Sequence, residues 1–72
     1  MRTGVISLNG YRLEYKLCEV SLRPGWNVWV RTSPHKSWTQ IGTGDRVFAN
    51  EHAAMSGVKH TAEELNARRL KI

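Results

Sequence analysis

The sequence predicts a small α+β domain: an antiparallel sheet of three to four strands, followed by one C-terminal helix packed on one face of the sheet. Three observations carry this. Apolar and polar residues alternate with period two from Tyr11 to Leu17, the pattern of a half-buried strand. Turn signals at Asn9-Gly10, Arg23-Pro24-Gly25, Ser33-Pro34 and Gly42-Thr43-Gly44-Asp45 cut the first two thirds of the chain into short runs. Beyond Asn50 the period becomes helical, with Met55, Val58, Ala62 and Leu65 recurring at intervals of three and four. A chain of 72 residues is read as a single domain over 1–72. At this size only about 60% of the unfolded surface is buried, so support from a partner is a live question.

The first strand, about 3–8, contains Val5-Ile6-Ser7-Leu8 and ends at Asn9-Gly10, the strongest short hairpin signal. The second, about 11–21, sets Tyr11, Leu13, Tyr15 and Leu17 on one face and Arg12, Glu14 and Lys16 on the other. After Leu17 the apolar positions become Cys18, Val20 and Leu22, which predicts a bulge or bend near Leu17-Cys18. The first two strands are accordingly expected to be short or irregular. Strands about 26–32 and 36–43 follow, joined by a loop over Thr32 to His35. That loop predicts Trp29 opposite Trp38, Asn27 opposite Gln40 and Arg31 opposite Lys36, with Val28 meeting Thr39, Val30 meeting Ser37 and Trp26 meeting Ile41 on the other side. A slip by one residue would instead pair Val30 with Trp38 and bury that tryptophan.

The helix is expected over about 50–70, with Asn50 as its N-cap. Gly57 costs about 1 kcal/mol relative to alanine, yet the apolar phase continues through it. Thr61-Ala62-Glu63-Glu64 also reads as a capping box, so two shorter helices broken near His60 are the competing arrangement. The apolar stripe is expected to cover Leu13, Tyr15, Val28, Val30 and Ile41, leaving the second face of the sheet open.

Composition narrows the function. Eleven Lys and Arg against six Asp and Glu give a formal charge of +5, and the pI is near 10.0. Such a balance favours a polyanionic partner. With 24% charged and 40% hydrophobic residues, the chain is no disordered basic tail. The lone Cys18 excludes an internal disulfide and removes half of any paired-cysteine zinc site. MRTGVISLNG holds no apolar run of signal-peptide length and no 18-residue apolar stretch occurs, so a cytoplasmic, membrane-free protein is expected.

Catalytic signals are weak. His52 and His60 lie eight residues apart, His35 falls in a loop, and no HExxH spacing exists. Gly42-Thr43-Gly44-Asp45 lacks the GK[ST] ending of a phosphate-binding loop and reads as a connection. The expectation is no enzyme, no cofactor and no metal.

The constellation that stands out is Arg12, Lys16, Asn27, Trp29, Arg31, Lys36, Trp38 and Gln40, predicted to share the open face. Tryptophan and arginine are enriched in binding hot spots and stack on bases, while Lys and Arg neutralise phosphates. Asn27 and Gln40 suit bidentate contacts to adenine, and Arg31 suits guanine. Against this stands the reading that one tryptophan belongs to the core. Arg68, Arg69 and Lys71 fit the negative end of the helix dipole and offer further phosphate contacts.

The run GWNVWVRTSPHKSWTQIG followed by VFANEHAA resembles the sheet-then-helix arm-binding domains at the N-termini of phage-type integrases. The resemblance covers about residues 25–55 and implies a sheet inserted into the major groove of DNA. The leading expectation is a small basic nucleic-acid-binding accessory protein, phage or mobile-element encoded, with DNA ahead of RNA as partner. The alternative is a protein-protein interaction module docking on an acidic protein surface, such as an anti-CRISPR-like inhibitor of a host defence complex. A homodimer through the Trp-rich face or a sheet edge is a third arrangement.

Overall fold

The computed structural model describes residues 1–21, 24–42 and 47–70, with side chains up to Arg68. Four strands, β1 (Arg2–Leu8), β2 (Tyr11–Glu19), β3 (Trp26–Arg31) and β4 (Thr39–Ile41), are followed by one helix, α1 (Glu51–Leu70). The sheet is antiparallel with its strands in sequence order, and α1 packs across β1, β2 and β3. The α+β architecture is the one the patterning predicts.

The β1–β2 hairpin turns on Asn9 at φ 51° and Gly10 at φ 80°, both in the left-handed region that a tight two-residue hairpin requires. Leu8 then pairs with Tyr11, and the ladder runs unbroken to Arg2 opposite Leu17. On its other side β2 pairs with β3 from Glu14–Arg31 to Glu19–Trp26, also without an inserted residue. The bulge expected at Leu17-Cys18 is therefore absent, and β1 and β2 are the longest strands, not short or irregular ones. Cys18 takes the ordinary alternate place, half-buried on the open face opposite Asn27. The apolar phase shifts there because a small thiol fits a partly covered sheet face without any change in the backbone.

The second correction concerns β3 and β4. Val28 pairs with Ile41, Trp29 with Gln40 and Val30 with Thr39, so the register is displaced by two residues from the expected one. The cause lies in the loop. Lys36 N–H donates to Ser33 O at 3.1 Å and His35 N–H to Ser33 Oγ at 3.3 Å, closing a turn around Pro34. A turn with proline at its second position uses residues 33 to 36 without splaying back into the ladder, and pairing resumes only at Thr39. The strand is thus 39–41 rather than 36–43. A displacement of two preserves which face each side chain occupies, so the predicted faces survive the error.

After β4 the chain returns to the sheet at Phe48. Trp26 N–H donates to Phe48 O at 2.8 Å and Phe48 N–H to Trp26 O at 2.9 Å. This pair delivers the chain to Asn50, whose Oδ1 accepts from Ala53 N–H at 2.8 Å while its carbonyl accepts from Ala54 N–H at 3.0 Å. Asn50 is the N-cap, and α1 continues through Gly57 and His60 as a single helix, so the broken arrangement is not adopted. Arg2 forms an ion pair with Glu51, linking β1 to the first turn of α1. Both side chains are too exposed for the pair to add much stability.

The core is compact and built from small and medium residues. Leu13, Leu17, Val28, Ala54, Val58 and Ala62 are fully buried and Val30 nearly so. Ala54, Val58 and Ala62 recur every four residues, and the two alanines let the helix backbone approach the sheet closely. Met55 and Leu65, the expected ends of the stripe, flank it and are half-buried. Tyr15 folds its ring onto Gly4, its cross-strand partner, in the space a side chain there would occupy. Among the described residues, no helix is long and apolar enough to cross a membrane.

Candidate functional site

The face of the sheet turned away from α1 is assembled row by row from the strand register. One row places Ser7 beside Arg12, and the next sets Val5, Glu14 and Arg31 side by side. Then come Thr3, Lys16, Trp29 and Gln40, and after them Cys18 and Asn27. Trp38 precedes β4 by one residue and continues the register next to Arg31. Seven of the eight predicted residues, all but Lys36, therefore share this face.

Their side chains are not independent. Arg31 Nε donates to Glu14 Oε1 at 3.1 Å, with Nη2 ion-paired to the same oxygen at 3.1 Å, and Arg12 Nη1 donates to Glu14 Oε2 at 3.2 Å. The Glu14 side chain is only 12% exposed, so one nearly buried carboxylate fixes two guanidinium groups. Arg31 Cζ also lies 4.2 Å from the centroid of the Trp38 ring, a stacking distance. Lys16 Nζ stands over two rings at once, 5.0 Å from the Trp29 centroid and 4.9 Å from that of Trp38. Contacts of this kind contribute about 0.5–1 kcal/mol each at exposed sites. Gln40 Nε2 donates to Asn27 Oδ1 at 3.2 Å, so the two amides are engaged with each other.

Lys36 is the exception. It sits in the loop between β3 and β4 and lines a hollow of about 410 Å³ on the helix side, with Leu13, Val30, Thr61 and Leu65. The expected pairing of Lys36 with Arg31 depended on the shorter loop and is lost with the register. Glu14 is the residue the sequence reading left out. The alternation of Arg12, Glu14 and Lys16 carries only part of its signal: Glu14 binds Arg12 on its own strand, but nothing in that pattern points to Arg31.

The three tryptophans divide between the two faces. Trp26 packs against the core on the helix side, whereas Trp29 and Trp38 are half-buried on the open face. Arg68 is exposed near the end of α1, remote from that face; Lys71 and the side chain of Arg69 lie outside the described residues, as does the 43–46 connection. A shallow hollow of about 270 Å³ lies beside Trp38 and Arg31 on the open face. It is smaller than the roughly 300–1,000 Å³ of small-molecule sites. Among the described residues no group of three His, Cys, Asp or Glu is placed to hold a metal ion. What the face offers is a flat aromatic surface with three cations and one carboxylate. Compared with known proteins, the chain matches no family model, no curated protein and no solved structure.

Proposed function

We propose that this protein binds nucleic acid through the open face of its sheet. The observation that carries the reading is the cluster of Trp29, Trp38, Lys16 and Arg31 on the face turned away from α1, which no other described element covers. Each member has a counterpart in a nucleic acid: the indole rings and the guanidinium plane stack on bases, and the cations neutralise phosphates. Glu14 supports the arrangement by holding Arg31 flat against Trp38, so that little side-chain entropy is lost when a ligand arrives. The overall charge of +5 draws a polyanion toward the whole surface.

The test is a binding titration with DNA and RNA oligonucleotides across a salt series. Micromolar or tighter binding at low salt that weakens linearly on a log–log plot supports the reading. No binding at low salt removes it. The same Trp–Arg cluster also suits an acidic protein surface, with Trp38 and Arg31 as the anchors. Retention of one stoichiometric protein from a nuclease-treated host lysate, together with failure to bind oligonucleotides, would establish that reading instead.

A further inference from the structure

We infer that the nucleic acid this face accepts is single-stranded, with one base entering the place that Lys16 occupies between Trp29 and Trp38. The inference rests on the nucleic-acid reading above and specifies the form of the ligand.

Width argues against a groove-inserted sheet. Neighbouring strands lie about 4.8 Å apart, so the outer strands of a four-stranded sheet are separated by roughly 14 Å before side chains are added. The major groove of duplex DNA is about 12 Å wide and takes a helix or a two-stranded ribbon. Here the cluster spans β2, β3 and the approach to β4, and β1 continues the same face beyond it. The groups suited to reading base-pair edges are also occupied. Gln40 and Asn27 bond each other, and Arg31 is hydrogen-bonded through Nε and ion-paired through Nη2 to Glu14. A face whose polar ends are paired with one another and whose half-buried rings carry only exchangeable cations over them recognises the flat side of a base, which a duplex keeps stacked and hidden.

The position of Lys16 supplies the mechanism. Its ammonium lies almost equally far from both ring centroids, at 5.0 and 4.9 Å, and so marks a place in reach of both indoles. Lys16 is the cross-strand partner of Trp29, on a flexible four-carbon stem. When a base enters, the ammonium swings out and meets the adjoining phosphate. A weak exposed cation–π contact is thereby exchanged for base stacking plus a charge-assisted contact. Arg31, stacked on Trp38 at 4.2 Å and tied to Glu14, stays in place and holds the ring.

The experiment is a tryptophan-fluorescence titration of the intact protein with an oligothymidylate of roughly 12 nucleotides, within the usual site sizes, and with a duplex of the same length. The expected result is quenching by the single strand, with affinity at least tenfold above the duplex. Trp38→Ala should lose about tenfold in single-strand affinity, and Trp38→Phe should restore most of it. Lys16→Met should keep the quenching while reducing the salt slope by about 0.7, the loss of one phosphate contact. Duplex binding as tight as single-strand binding, or single-strand binding without quenching, overturns the inference and leaves the nucleic-acid reading standing. Failure to bind either form overturns both.

Discussion

Glu14 and Arg31 face each other directly across β2 and β3, and a single carboxylate oxygen accepts a hydrogen bond from Nε and forms an ion pair with Nη2 of the guanidinium. The Arg31 side chain is 24% exposed and that of Glu14 12%, so the pair is largely shielded from water. Removing the charge from such a pair leaves a half-buried guanidinium poorly compensated. Glu14→Gln keeps the shape and one acceptor, so the expected loss is about 1–2 kcal/mol by urea denaturation. The same substitution removes the only carboxylate from the described part of the cluster. Single-strand affinity at low salt is expected to rise a few-fold while stability falls. A variant that loses both would show that the ordering of Arg31 outweighs the repulsion between the carboxylate and a phosphate, and one that loses neither would show that Glu14 does not restrain the cations.

The three tryptophans should respond differently to truncation. Trp26→Ala opens space against the core and beside Phe48, and is expected to cost about 2–3 kcal/mol, less than a fully buried aromatic because Trp26 is half-exposed. Trp29→Ala and Trp38→Ala remove rings from the open face and should cost about 1 kcal/mol or less each, mainly the lost contacts with Lys16 and Arg31. Thermal melts of the three variants measure this. Unfolding on removal of Trp38 would mean that its ring supports the fold itself.

The sequence revealed the faces more reliably than the register, and the reason is parity. Val28, Val30 and Ile41 turn to the helix and Trp29, Trp38 and Gln40 away from it under any displacement by an even number of residues. Alternation therefore locates the site even where the pairing is wrong. The length of the Pro34 turn is set by hydrogen bonds from His35 and Lys36 back to Ser33, and these leave no trace in hydrophobic periodicity. Asn9-Gly10 and Asn50 were legible because each residue type answers a local backbone need. The role of Glu14 was not, since its partner Arg31 lies on another strand and becomes its neighbour only once the sheet exists.

The N-cap offers a local test of the helix. Asn50 satisfies the N–H of Ala53 with its side chain, and the flanking Glu51 suits the positive end of the helix dipole. Asn50→Ala is expected to cost about 1 kcal/mol, and Asn50→Asp or Asn50→Ser to cost little. In a domain of this size a loss of about 1 kcal/mol lowers the melting temperature by roughly 4–8 °C, well within calorimetric resolution. Equal melting temperatures for the alanine and aspartate variants would show that the cap contributes nothing.

Helix propensity alone favours replacing Gly57, because alanine is preferred over glycine by about 1 kcal/mol in a helix interior. The structure predicts the opposite outcome. A Cβ at this position would lie 2.7 Å from both Cε1 and Cζ of Phe48, closer than side-chain carbons approach one another. Phe48 cannot simply withdraw, since its backbone is held by two hydrogen bonds to Trp26 and its ring packs on the core. Gly57→Ala should therefore destabilise the protein by about 1 kcal/mol, the overpacking cost exceeding the gain in helix propensity. Phe48→Leu shortens the side chain and removes the offending ring edge. In that background Gly57→Ala is expected to be neutral or stabilising, so a double-mutant cycle should give a coupling of about 1–2 kcal/mol. Independent, additive effects of the two substitutions would show that the glycine is not there to admit the phenylalanine.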